Sequence, residues 1–546
     1  MPGTRYLLAA EADKIQDFVF RASRLREVSG GSALLTRFCE EVPTQCLGLK
    51  PDDVIVSDGG TFRLLFDTAA DAEVAGCTLA DLYYMATGCG LTVAPPVPFD
   101  PLDPASFPSA NCQASTALRS AKRAQPSSTT AHIPQMAYCA STGIELAANF
   151  SIPKSDRPAT YLSKATLTKQ RERQDGKEAF IAKFIELVVP EGKADEFDVP
   201  EDAGAVGRAG GYDPRDYVAY LVADGNGMGA LFERCQTPEL INRLSTRLSE
   251  IVRKSLVKPT QQLMRFAPSK QGADRIVPLL PLILGGDDLF ALLPAPWALS
   301  FAQCFCRNFE YLMGQFIAET PELADGPRPT MASAVVICKS KFPFYLAHQR
   351  GEALLKEVKQ LSKGPGQGHY SAVSFEVNVG NRLFDSARTA DYRPTLRPYW
   401  IVPEQTSTVL PDESIPLQSL IDARYTLRML PQKRQALVRE QFEQVKHEEL
   451  KSRADRLKEI ADRMGQFADT PEDLSTQLLT YLEALGSDRG AHYWRTVSRG
   501  DKYVYGNALP DVLDAWDYLY DIEREPASYS SPTEVAKSTN ELYLCR

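Results

Sequence analysis

The chain has 546 residues, 44% hydrophobic and 24% charged, and its 61 basic against 70 acidic side chains give a net charge of −9. That length predicts about three or four domains with apolar material for several cores, and the acidic balance speaks against a protein that grips nucleic acid along its whole surface. The 11 cysteines form no pair of CxxC knuckles, no apolar run reaches about 18 residues and no basic-then-apolar leader opens the chain, so reduced thiols, no membrane contact and a cytoplasmic location are expected.

The first element is an apolar strand, Tyr6-Leu7-Leu8-Ala9-Ala10-Glu11-Ala12-Asp13, followed by helical periodicity. Next comes Ser57-Asp58-Gly59-Gly60-Thr61-Phe62-Arg63-Leu64-Leu65-Phe66, which has the shape of a hairpin around two glycines. A small-residue strand at Leu91–Ala94, a proline-containing loop and a helix bearing Leu118-Arg119-Ser120-Ala121-Lys122 complete the first segment. Residues 130–205 are a polar connector with helical stretches such as Glu178–Val189, and Pro190–Gly211 is acidic and glycine-rich, as a flexible loop would be.

The design then repeats. Tyr217-Val218-Ala219-Tyr220-Leu221-Val222-Ala223-Asp224 is again an apolar strand ending in Ala-Asp, which pairs Asp224 with Asp13 in the two copies. Pro278–Leu293 encloses Gly285-Gly286-Asp287-Asp288 between apolar runs, the pattern of a buried hairpin with carboxylates at its tip. Cys304 and Cys306 lie two apart in a helical segment and so point to different faces, which disfavours a shared zinc. The strand Met331–Cys338, the helix bearing Leu355-Lys356-Glu357-Val358-Lys359 and a last strand at Ser371–Val379 follow. Three landmarks in the same order predict two α+β domains facing each other. Beyond them the chain turns helical: Gln432–Met464 is amphipathic, and Thr470-Pro471-Glu472 starts a helix that Gly486 stops.

The chemistry concentrates in the second copy. Adjacent buried carboxylates are unfavourable unless a cation sits between them, and a hard divalent ion such as Mg²⁺ answers that need. Two-metal nucleotidyl transfer uses ions about 3.5–4 Å apart, held by carboxylates from neighbouring strands. Asp224, Asp287 and Asp288 meet the requirement if the hairpin pairs beside the Asp224 strand, and Lys359, with Lys339 or Lys341 as further candidates, would clamp a triphosphate. Each of these residues also has a plain structural reading: lysines are mostly solvated, and an aspartate at a strand end is common.

The sequence resembles the large, Palm-domain subunit of type III CRISPR effector complexes, the CRISPR polymerase/cyclase family. Ile15-Gln16-Asp17-Phe18-Val19-Phe20 and Leu25-Arg26-Glu27-Val28-Ser29-Gly30-Gly31-Ser32 are similar to that family's I-Q-x-F-I-F and L-R-E-x-x-G-x-S opening. Asp224-Gly225-Asn226-Gly227-Met228-Gly229 is similar to its D-G-D-x-M-G strand end, and Gly285–Asp288 to its GGDD. The resemblance implies two ferredoxin-like Palm domains of the GGDEF/polymerase type, with a helical connector and a C-terminal helical domain: a degenerate first Palm over 1–130, the connector over 131–210, the second Palm over 211–385 and helices over 386–546. It implies an ATP-consuming nucleotidyltransferase making cyclic oligoadenylate or a related messenger in antiviral defence, with Mg²⁺ or Mn²⁺ on Asp224, Asp287 and Asp288. Nucleotide would lie against Gly225, Asn226, Gly285, Gly286 and Lys359, and against Gly59 and Gly60 of the metal-free first Palm.

Departures from the family pattern sharpen these expectations. Many members begin with an HD nuclease domain, but here none of His132, His348, His369, His447 and His492 is followed by Asp, so no HD activity is expected. Where relatives carry a zinc knuckle, Met136–Gly143 offers Cys139 alone, with Cys112 and His132 as weak helpers, and no zinc is expected. Asn226 replaces the second aspartate of D-G-D-x-M-G. Implied partners are ATP and, through other CRISPR subunits, guide and target RNA. A catalytically silent scaffold and a stand-alone GGDEF-like dinucleotide cyclase, acting as a homo-oligomer, remain the competing readings.

Overall fold

The computed structural model describes residues 3–21, 25–124, 136–151, 160–189, 191–200, 202–209, 216–266, 269–271, 274–363, 370–378, 392–393, 395–403, 415–427, 450–465, 471–485, 495–499 and 502–524. The chain begins with strand β1 (Arg5–Ala12), the short helix α1 (Ile15–Phe20) and α2 (Leu25–Glu41). A hairpin of β2 (Val54–Asp58) and β3 (Thr61–Phe66), helix α3 (Ala69–Thr87), strands β4 (Leu91–Val93) and β5 (Val97–Phe99), and α4 (Ser106–Ala124) follow. The sheet runs β2-β3-β1-β4, with β5 also on β1. Alternation along β1 sends Leu7 and Ala9 to one core and Leu8 and Ala10 to another, where they meet Phe62, Leu79 and Tyr83. Thr68 caps α3 by accepting the Asp71 amide, and Gly88 ends it in the left-handed conformation.

The connector holds a two-stranded ladder (Asn149–Ser151 with Thr160–Leu162) and one long helix, α5 (Lys164–Val188), which packs on α2 and is longer than the predicted Glu178–Val189 stretch. Buried Glu27 of α2 accepts from Ser141 and from Gln170 of α5, and Lys169 of α5 donates to the Phe18 carbonyl. A Cβ at Gly31 would lie 3.3 Å from the Lys169 stem. These contacts give the Leu25–Ser32 motif a structural use: it seats the connector.

The second unit repeats the β-α-β-β-α-β wiring: β6 (Tyr217–Asn226), α6 (Pro238–Ser255), a hairpin of β7 (Leu280–Gly285) and β8 (Asp288–Pro294), α7 (Ala298–Ala318), β9 (Thr330–Lys339), α8 (Phe344–Leu361) and β10 (Ala372–Val377). Its six-stranded sheet runs β7-β8-β6-β9-β10-β11, where β11 is Tyr399–Trp400. Every residue of β6 from Tyr217 to Ala223 is buried, as expected of a central strand covered on both faces. Helix α8 lies close to β6 because Gly351 has no side chain; a Cβ there would stand 2.5 Å from a Val222 methyl.

The two units share a core at their junction. Phe20, at the end of α1, is 1% exposed, stacks on His348 with ring centroids 3.7 Å apart, and meets Phe290 of β8 edge-on at 4.9 Å. Phe20→Ala should cost about 3–5 kcal/mol, measured by urea denaturation; a loss below ~1 kcal/mol would contradict this packing.

Beyond residue 386 the described helices are Leu417–Thr426, Leu450–Gly465, Pro471–Ala484 and Leu509–Ala515. They bear out helices within Gln432–Met464 and after Thr470, although residues 428–449, Thr470 and Gly486 lie outside the described residues. The tail is not helical throughout: Arg495–Arg499 and Lys502–Gly506 form a hairpin joined by Tyr392–Arg393. These short runs, with Val497, Tyr503, Val504 and Tyr505, carry a β signal that the surrounding helical periodicity obscures. Asp511, fully buried, receives the Arg397 guanidinium at 2.8 Å and the Tyr399 hydroxyl at 2.8 Å, fastening the tail to the sheet.

Candidate active site at the hairpin tip

The register of the second sheet builds the site. Gly285 faces Asp288 across the β7–β8 turn, and Leu289 pairs with Ala223 of β6, so one step further Asp288 stands beside Asp224. Gly286 takes the left-handed conformation (φ 59°) at the first central position of the two-residue turn, where glycine is favoured. One carboxylate oxygen from each of Asp224, Asp287 and Asp288 comes within 4.8 Å of the others, and among the described residues this is the one cluster of three or more His, Cys, Asp or Glu able to converge on one ion. Asp287 hydrogen-bonds Asp224 and packs over Gly225, where a Cβ would lie 2.9 Å from its Oδ2.

The electrostatics are strained. Burial, then the Asp224 and Asp288 charges, hold the Asp287 carboxyl well above the usual carboxylate range. Asp288, at the exposed edge of the turn, is pushed up to about 7 by the partial desolvation of the cleft and by Asp224 and Glu352, with Lys359 opposing. Glu352 is raised by burial and Asp224, while Gln16 of the first unit hydrogen-bonds it and Lys359 pulls it down. Lys359 is ion-paired to Asp224. An all-carboxylate donor set with too little positive charge suits a hard divalent cation, and it offers no soft ligand.

A raised carboxylate pKa means that the folded state holds protons the unfolded state has released, so its stabilising share is lost as pH climbs from about 4 to about 7. Metal-free Asp288→Asn should therefore gain stability relative to wild type across that window in urea denaturation. A pH-independent difference would contradict the clustered carboxylates.

Two clefts open on the cluster. One, of about 640 Å³, lies between Gly225–Gly227 and a face of α8 carrying Lys356 and Lys359, three residues apart, with Lys363 just past the end of the helix. The other, of about 700 Å³, lies between the units, with Glu11, Asp58 and Lys122 on one side and Asp224, Asp288 and Glu352 on the other.

The placement of the expected residues is mixed. Asp224, Asp287, Asp288, Gly225, Gly285, Gly286 and Lys359 come together, as expected. Gly59 borders the inter-unit cleft, whereas Gly60 is buried beneath Ile15. Asn226 is 4% exposed and its amide donates to Thr330 at 3.1 Å, so it ties β6 to β9. Lys339 pairs with Tyr217, seven residues along β9 from the partner of Asp224, or roughly 20 Å away, and Lys341 lies beyond it; neither belongs to the clamp. Cys139 is buried against the Thr166 hydroxyl, and His132 lies outside the described residues.

The register also corrects the match between the copies. Ala10 pairs with Phe62 as Ala223 pairs with Leu289, which puts Glu11, not Asp13, at the position of Asp224 and Thr61 at that of Asp288. Asp13 instead accepts from Thr92. Lys122 is ion-paired to Glu11, as Lys359 is to Asp224. Sequence reasoning missed Glu11, Asp58 and Glu352; only Glu352 left a signal, standing seven residues before Lys359 on one helix face.

Residues 217–365 match the family model described as Cas10/Cmr2, second palm domain. No curated protein matches the chain. Among solved structures it resembles Csm1 of the Csm1-Csm4 subcomplex in the type III-A CRISPR-Csm interference complex (13% identity, TM-score 0.44, covering 68% of this chain and 54% of that one). It also resembles a Csm1-Csm4 cassette in complex with one ATP (14%, 0.42, 68% and 54%) and Csm1 in T. onnurineus (15%, 0.42, 68% and 52%). The chain thus spans about half the length of these proteins. Among the described residues no helix is long and apolar enough to cross a membrane.

Proposed function

We propose that this chain, whose residues 217–365 match the Cas10/Cmr2 second palm domain, is a type III CRISPR Cas10-like large subunit and a metal-dependent nucleotidyltransferase that turns ATP into a cyclic oligoadenylate or related messenger. The convergence of Asp224, Asp287 and Asp288 carries the reading. In it the first unit is a degenerate Palm over 1–130 and the second, active Palm spans 211–385, flanked by the connector and the C-terminal region.

The three carboxylates would hold Mg²⁺ or Mn²⁺. A cation bound there supplies neutralisation of phosphate charge and a lowered pKa for an attacking hydroxyl. The remaining work falls to the chain. Lys359, Lys356 and Lys363 line the cleft where a triphosphate would lie, and ammonium groups stabilise charge that builds on transferring phosphoryl oxygens. Gly227, with open space where a Cβ would stand, leaves the backbone open to phosphate. On the opposite side, Gly60 and Thr61 occupy the positions of Asp287 and Asp288, so the first Palm has no acids at those two positions, while Glu11 and Lys122 line the inter-unit cleft where a second nucleotide would lie. Two nucleotides held against each other gain the orientation that a bond between them requires.

The test is incubation of the purified chain with labelled ATP and Mn²⁺ or Mg²⁺, with and without RNA and partner subunits, with products identified by mass spectrometry. Metal-dependent oligoadenylate from wild type and none from an Asp287→Ala, Asp288→Ala double variant is expected. ATP left intact under every condition would favour the scaffold reading.

A further inference from the structure

We propose that Asp58, at the tip of the first unit's hairpin, is the positioning residue that sets the metal-bearing hairpin of the second unit. The inference rests on the reading of Asp224, Asp287 and Asp288 as ligands. A two-residue turn leaves amides with no partner inside the hairpin, and such a donor must be met from elsewhere. The Gly286 amide, one residue before Asp287, donates at 3.0 Å to Asp58 Oδ2, 228 residues away in sequence. The same oxygen accepts from Ser249 of α6, and Oδ1 accepts from the Gly59 amide at 2.7 Å. Asp58 therefore joins its own turn, helix α6 and the acidic turn in one node.

The surroundings are built for this approach. A Cβ on Gly285 would stand 3.2 Å from Asp58 Oδ1 and 3.9 Å from the Gly59 backbone, so the first glycine of the acidic hairpin leaves room for the other hairpin's turn. Beside it, the Asn242 amide of α6 donates to the Val54 and Ile55 carbonyls at 2.9 and 3.2 Å, holding β2 against the second unit. The degenerate hairpin has lost the acids that would bind an ion and keeps one that fixes the turn of its counterpart.

Partners that orient metal ligands are worth about 10–100-fold in metal affinity. Mn²⁺ affinity of the full chain, measured by calorimetry without nucleotide, should fall by that factor in Asp58→Ala. It should stay within about threefold of wild type in Asp58→Asn, whose side-chain oxygen still accepts the Gly286 amide. Asn242→Ala, which loosens the same junction without touching the turn, should bind like wild type. Wild-type affinity in Asp58→Ala, or equal weakening in Asn242→Ala, overturns the proposal. Should Asp58→Ala fail to fold, hydrogen exchange in the wild-type peptide spanning 283–290 decides: slow exchange at Gly286 is expected, and exchange at the rate of an open turn overturns it. A wild type that binds no Mn²⁺ while Gly286 stays protected defeats the ligand reading instead, leaving Asp58 a strut without a metal site to position.

Discussion

Asp287→Ala with Asp288→Ala is expected to lower metal-dependent turnover of ATP by at least ~100-fold, because it removes two of three groups that would hold the cation. The same change should stabilise the metal-free protein. Both carboxyls are held above the usual carboxylate range by desolvation and by the Asp224 charge, Asp287 by Asp288 as well, so their removal relieves repulsion that only an ion or a proton otherwise offsets. The expected signature is a crossover: without metal the variant melts above wild type, and with Mn²⁺ in excess wild type melts above the variant. A variant that melts lower in both conditions would mean that the acids are part of the framework and not a site awaiting an ion.

Gly225→Ala should be nearly as damaging although it removes no functional group. Its Cβ would stand 2.8 Å from Met228 Cγ, 2.9 Å from Asp287 Oδ2 and 3.0 Å from Asp287 Cβ. Met228 begins a short helix and is buried, so Asp287 is the group with room to move. A displacement near 1 Å at a reacting centre can cost on the order of 10²-fold in rate, and turnover of ATP should fall by about that much with little change in overall stability. Turnover within about threefold of wild type would show that Asp287 need not sit where this hairpin puts it.

The parts legible in the sequence were those written in local pattern. Apolar runs of the right length located β1, β6 and the two hairpins, and glycines beside acids marked the tip. The matching lysines, Lys122 and Lys359, were found from their place after the fourth strand of each copy, and they form equivalent ion pairs. What failed was register. Ala-Asp ends the predicted strand in both copies, yet hydrogen bonding places Glu11 where Asp224 stands, a shift of two residues that keeps the same face and leaves no mark in composition. Lys339 looked close to the site in sequence but lies at the opposite end of β9, because a strand advances ~3.3 Å per residue. Asp58 was quoted with its hairpin and passed over, since its partner lies 228 residues away. Thr330, which receives the Asn226 amide, was equally out of reach of local reasoning.

The most direct measurement is anomalous diffraction from crystals of the chain soaked with Mn²⁺ and a non-hydrolysable ATP analogue. Manganese is expected between the carboxylates of Asp224, Asp287 and Asp288, with the triphosphate against Lys359. An analogue bound elsewhere, or bound here with no manganese on these three residues, would contradict it.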